Sequence, residues 1–112
     1  MSEKHSIREA YGRALVETGR KQPDLVVLDS DVANSTKTVY LEKEFPHRFY
    51  NFGIQEANMT DAAAGMAAVG LTPFVNTFAF LAALRAAEQI RTSIAYNNLS
   101  VKIVGSYGGL SD

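Results

Sequence analysis

The chain has 112 residues, 46% apolar and 21% charged, with 11 basic against 12 acidic side chains. That suits one soluble domain with a single core, and a balanced charge with scattered Lys and Arg gives no footing for nucleic-acid or membrane-surface binding. There is no cysteine, which excludes disulfides, thiolate metal sites and a cysteine nucleophile. With only His5 and His47, a zinc site built on histidines is disfavoured as well.

The amino terminus, Met1 to His5, is polar with no apolar segment behind it, so no signal peptide is expected. The longest low-charge run, Thr60 to Leu84, is punctuated by Asp61, Gly65, Gly70, Pro73 and Asn76. It reads as helix, turn and strand and not as a membrane span. The expectation is a cytoplasmic protein.

Ser6-Ile7-Arg8-Glu9 has the form of a capping box. Ile7, Tyr11, Ala14, Leu15 and Thr18 follow on one helical face, and Gly19 to Pro23 stop the helix. Leu25-Val26-Val27-Leu28 is a continuous apolar run too short for a helix, which is the pattern of a strand buried on both faces of a parallel sheet. A short helix is expected from about Lys37 to Glu44, ended by Pro46. Phe49 to Phe52 is the next strand, with Gly53 as the turn into a helix from Glu56 to about Val69. That helix is so rich in Ala and Gly that it reads as buried nearly all round, and Gly70 is its left-handed stop. A third strand runs from Pro73 to Phe78 and a helix from Leu81 to Tyr96. A fourth strand, Val101 to Val104, leads into the loop Gly105 to Gly109.

This alternation predicts a three-layer α/β/α fold with a mainly parallel sheet spanning residues 1–112. The sheet is expected to be incomplete at the carboxyl terminus, because such a fold normally continues past a fourth strand. Either a longer chain or a partner completes it.

Ligands of open parallel sheets bind beyond the carboxyl ends of the strands. Those ends carry Asp29-Ser30-Asp31 with Ser35, Asn51 with Gln55 and Glu56, Asn76-Thr77, and the glycine loop. Glu56 is the anomaly, a carboxylate opening an otherwise apolar helix. It is either a first-turn charge satisfied by the helix dipole or a group placed in a dry site to handle a proton. No nucleotide-phosphate motif is present, and the two histidines, both read as surface residues, support no Ser-His-Asp arrangement.

The blocks Gly53-Ile54-Gln55-Glu56-Ala57-Asn58-Met59, Pro73 to Phe80, and Arg85 to Asp112 together resemble the pyrimidine-binding domain of thiamine-diphosphate enzymes of the transketolase family. The resemblance covers about Ser6 to Asp112 and is nearest to the separate carboxyl-terminal subunit of a split transketolase. It implies that Glu56 is the catalytic and cofactor-binding glutamate that hydrogen-bonds the aminopyrimidine ring nitrogen. That contact favours the tautomer able to take the proton from the thiazolium carbon. A carboxyl group in this role holds a proton, which burial among apolar residues favours in general. The cofactor supplies the carbanion chemistry and the protein supplies tautomer control and orientation.

The same resemblance implies an aromatic cofactor pocket at Phe78 and Phe80. The family's main stacking phenylalanine falls nearest Leu81, so either Phe80 turns into the pocket or Leu81 packs on the ring. It further implies that Arg8 and Ser35 hold the substrate's phosphate, with Asp31 beside them contacting substrate or a partner chain. The Gly-Asp-Gly motif that grips the diphosphate through Mg2+ or Ca2+ does not occur in this chain. The chain is therefore expected to hold no metal itself and to be inactive alone. It needs a diphosphate-binding subunit, in a homodimer or heterotetramer, to move a two-carbon unit between sugar phosphates.

Two readings compete. One is another thiamine-diphosphate enzyme, a deoxyxylulose-phosphate synthase or a 2-oxoacid dehydrogenase beta subunit. The other is a non-catalytic flavodoxin-like signalling domain with Asp29 or Asp31 as phosphoacceptor. The second needs a lysine at a later strand end, whereas Lys102 falls inside the fourth strand.

Overall fold

The computed structural model describes residues 6–108, so His5 and the end of the glycine loop at Gly109 lie outside the described residues. Four strands, β1 (Leu25–Asp29), β2 (Phe49–Asn51), β3 (Thr72–Phe78) and β4 (Lys102–Ser106), form one sheet in the order β2-β1-β3-β4. Every pairing in it is parallel. The helices are α1 (Ile7–Lys21), α2 (Ala33–Thr36), α3 (Val39–Glu44), α4 (Glu56–Ala68) and α5 (Ala79–Arg85). No helix among the described residues is long and apolar enough to cross a membrane.

The central strand explains the layers. All five residues of β1 are buried, and successive side chains point to opposite faces. Leu25 and Val27 meet Leu15 of α1 and Leu41 of α3 on one side, while Val26 and Leu28 meet Met59 and Ala63 of α4 on the other. Two cores thus flank one sheet, the three-layer arrangement that the alternation of elements predicts.

α1 starts as expected at one contact only. The Ser6 hydroxyl accepts from the Glu9 amide at 3.3 Å, but the Glu9 carboxylate takes the Tyr40 hydroxyl at 2.6 Å and lies near Lys37 and Arg13. The buried face of α1 is Gly12, Leu15 and Gly19, with Ile7 88% exposed. Helix-period counting missed this because it weights large apolar residues. Gly12 is buried because a Cβ there would meet the Lys37 carbonyl and the Tyr40 ring at 2.7 Å.

α4 departs from the expectation in the same way. It buries Glu56, Met59, Thr60, Ala63 and Ala64 but leaves Asn58, Asp61, Gly65 and Ala68 exposed, so it is covered on one face. Small side chains made that open face look like core. Gly53 (φ +70°) turns the chain into α4 and Gly70 (φ +99°) ends it, the second with the Leu71 and Gly70 amides closing onto Met66 and Ala67 carbonyls.

The expected helix from Leu81 to Tyr96 is broken. α5 ends at Arg85, a single turn follows at Ala87–Gln89, and Ile90–Ala95 is a wider π-type turn. Ala86 and Ile94 are buried while Leu84 is 78% exposed. The buried positions Ala82, Ala86 and Ile94, with Ile90 half-buried, recur every four residues, a spacing wider than the 3.6 of a regular helix. The helix expected from about Lys37 to Glu44 is α3, while the stretch Asn34-Ser35-Thr36 before it, read as loop, forms the short helix α2, which Lys37 ends at φ +68°.

Candidate active site

The strand register aligns the polar ends: Asp29 sits opposite both Asn51 and Asn76, and Thr77 opposite Gly105. Much of this rim is internally satisfied. The buried Asp29 carboxylate accepts from the Val32 amide at 2.7 Å and from the Thr36 and Thr38 hydroxyls at 2.7 and 2.9 Å. Ser30 donates to Thr77 at 2.8 Å, and Tyr11 donates to Asn76, whose amide donates to the Leu28 carbonyl. Burial pushes the Asp29 carboxyl above its usual range, against the lowering effect of those three donors. Burial, with Asp29 nearby, likewise raises the Tyr11 phenol. Asp29, Ser30, Asn76 and Thr77 therefore build the rim and are not offered to a ligand.

What the rim does offer falls into three places. Asp31, exposed and in the left-handed region at φ +67°, accepts from the Asn51 amide at 3.0 Å. It lines an open depression of about 420 Å³ with Ser35, Asn34, Glu42 and Asn51. Arg8 donates to the Ser35 backbone carbonyl at 2.9 Å and to the Tyr107 hydroxyl at 2.7 Å, with its guanidinium 4.9 Å from the Tyr107 ring centre. Arg8 and Ser35 are thus brought together, through the serine's carbonyl and with Tyr107 as a third member. Asp31 is tied to Asn51 on the β2 side instead.

The third place is Glu56. It is the first residue of α4, with its side chain 2% exposed, and its Oε1 lies 3.1 Å from an Arg85 guanidinium nitrogen. Oε2 is buried with no hydrogen-bond partner among the described residues. A buried polar atom left without a partner is costly, so this oxygen calls for a partner that the described residues do not supply. Ile54, Gln55, Ala57, Asn58 and Arg85 surround it in a depression of about 430 Å³.

The aromatic residues gather at the end of β3. Phe78 is half-buried, stacks on Phe80 with ring centres 6.3 Å apart, and meets Tyr107 edge-on at 5.0 Å. Phe80 is 55% exposed and Leu81 half-buried. Leu81 and Arg85 are four residues apart on α5 and so share a face, the one that reaches Glu56 through Arg85.

Residues 3–111 match the family model of the transketolase pyrimidine-binding domain. The chain belongs to that family. It is 46% identical over 105 residues to a putative transketolase C-terminal section of Methanocaldococcus jannaschii, covering 94% of this chain and 33% of the relative. Identity to the 6-deoxy-6-sulfo-D-fructose transketolase subunit SqwH of a Clostridium species is 37% over 109 residues, covering 97% of this chain and 34% of that one. Among solved structures, a split-gene transketolase described as an inactive β4 tetramer superposes with a TM-score of 0.80 at 55% identity, over 88% of this chain and 33% of that chain. The chain thus spans about a third of the length of these relatives.

As a transketolase pyrimidine domain, the chain has residues that fit an aminopyrimidine: an unpartnered buried carboxyl oxygen beside an open depression, with aromatic and aliphatic side chains on the following helix. Among the described residues no three His, Cys, Asp or Glu side chains cluster as metal ligands. Sequence reasoning did not anticipate Arg85 on Glu56, Tyr107 on Arg8, or the Asp29 network. Asp29 had a signal in the two threonines at Thr36 and Thr38. Arg85 had none, because its reach depends on where α5 breaks.

Proposed function

We propose that this chain is the pyrimidine-binding part of a thiamine-diphosphate-dependent transketolase. It acts with a diphosphate-binding subunit to transfer a two-carbon ketol unit from a ketose phosphate to an aldose phosphate. The observation that carries this reading is Glu56 Oε2, buried at the opening of α4 without a partner among the described residues. When bound, thiamine diphosphate supplies the carbanion that breaks and remakes the C–C bond. Glu56 then holds a proton at Oε2 against the ring nitrogen. Leu81, half-buried and on the same face of α5 as Arg85, would pack on the ring in preference to the exposed Phe80. The metal and the diphosphate belong to the partner subunit.

Substrate recognition falls to Arg8. Its guanidinium has five N–H donors, of which bonds to Ser35 and Tyr107 use two, and its planar fork suits a phosphate or another oxyanion. Asp31, on the far side of Ser35, faces the polar part of the sugar or the partner chain.

Donor and acceptor assays on the full-length protein reconstituted with its partner subunit test this reading. Two-carbon transfer from a ketose phosphate is the expected result, and pyruvate decarboxylation without ketol transfer would sink it. Assaying 6-deoxy-6-sulfofructose in parallel decides whether Arg8 serves a phosphate or a sulfonate.

A further inference from the structure

We propose that Arg85 is the positioning residue for Glu56, anchoring Oε1 so that Oε2 alone is presented to the ring nitrogen of a bound aminopyrimidine. The inference rests on the reading of Glu56 given above and deepens it. A carboxyl group has two equivalent oxygens and rotates freely about its last bond unless something distinguishes them. Here the guanidinium of Arg85 lies 3.1 Å from Oε1, while Oε2 has no partner among the described residues. The symmetry is broken by one contact.

Glu56 opens α4 and Arg85 closes α5, so the cation stands at a helix carboxyl terminus, which favours it. Arg85 is 57% exposed and Glu56 is not. The guanidinium therefore approaches from the solvent side and forms part of the wall of the depression in front of Glu56. From there its positive charge faces Oε1 directly. A lysine supplies that charge without the planar fork.

The test uses the full-length protein reconstituted with its diphosphate-binding subunit, with thiamine diphosphate and Mg2+ as the probes and no sugar present. Two quantities are read, the cofactor dissociation constant and the exchange of the thiazolium C2 proton for deuterium by quenched-flow NMR. Arg85→Met is expected to slow exchange about 10- to 100-fold, the scale of a misplaced catalytic group, while cofactor affinity changes little. Arg85→Lys should lie in between, and added guanidinium ion should restore part of the loss in Arg85→Met. In a Glu56→Gln background, Arg85→Met should add nothing. Wild-type exchange in Arg85→Met, loss of cofactor binding, or an additive effect in the double variant would overturn the proposal. Normal exchange in Glu56→Gln would overturn the parent reading instead, and this one with it.

Discussion

Glu56 and Met59 lie one helical turn apart on the buried side of α4, and they do different work. Met59 is fully buried against Val26, Leu28 and Val75, so Met59→Ala should destabilise the domain by about 2–5 kcal/mol in urea melts. Glu56→Gln keeps the volume and a carbonyl oxygen but removes the transferable proton. In the reconstituted complex it should bind cofactor and lose about 10²–10⁴-fold in kcat, the usual worth of an acid–base group. Near-normal turnover would take Glu56 out of the chemistry. The residue was legible in the sequence because a lone carboxylate in an alanine-rich helix needs an explanation. Its partner was not, since the Arg85 contact depends on a helix break that no single residue announces.

Among the elements, α1 and α4 both use glycine, for opposite reasons, and the difference is measurable. Replacing glycine by alanine inside a helix is worth up to about 1 kcal/mol of stabilisation. At Gly65 a Cβ meets nothing within 4 Å, so Gly65→Ala should raise the melting temperature of the isolated chain. At Gly12 the Cβ runs into the Lys37 carbonyl and the Tyr40 ring, and overpacking of that kind costs about 1–3 kcal/mol. The clash outweighs the propensity, and Gly12→Ala should lower the melting temperature.

The carboxyl end of β1 makes a pH prediction. The Asp29 carboxyl is raised above its ordinary 3.8 by burial, so the folded state holds that proton more tightly than the unfolded chain. Its contribution to stability is full below the unfolded value and is lost as pH rises through the folded one. The stability of wild type relative to Asp29→Asn should therefore improve as pH falls from neutral to about 4. A flat difference across urea melts over that range would refute the assignment. The strands were legible from apolar runs and their polar ends. The break at Ala86 and the short α2 within the stretch read as the loop Asn34-Ser35-Thr36 were not, because helical periodicity is averaged over windows longer than either.

For the molecule as a whole, the two cores close around β1, yet large apolar side chains stay in water near the candidate site: Ile54 at 70% exposure, Phe80 at 55% and Leu84 at 78%. Ile54 lines the depression in front of Glu56, and Phe80 and Leu84 lie on α5 with Arg85. A site that must exclude water to let a carboxyl group manage a proton is poorly served by an open depression. If a diphosphate-binding subunit closes it, these segments are what it covers. Hydrogen–deuterium exchange on the protein with and without that subunit should show added protection at 54–58 and 80–85. The exposed face of α1 near Ala14 and Glu17 should be unchanged. Protection confined to α1, with 54–58 still exchanging freely, would place the partner elsewhere and leave Glu56 open to solvent. In that case the chain would lack the dry site that its unpartnered oxygen requires, and the transfer chemistry assigned to it would have to be withdrawn.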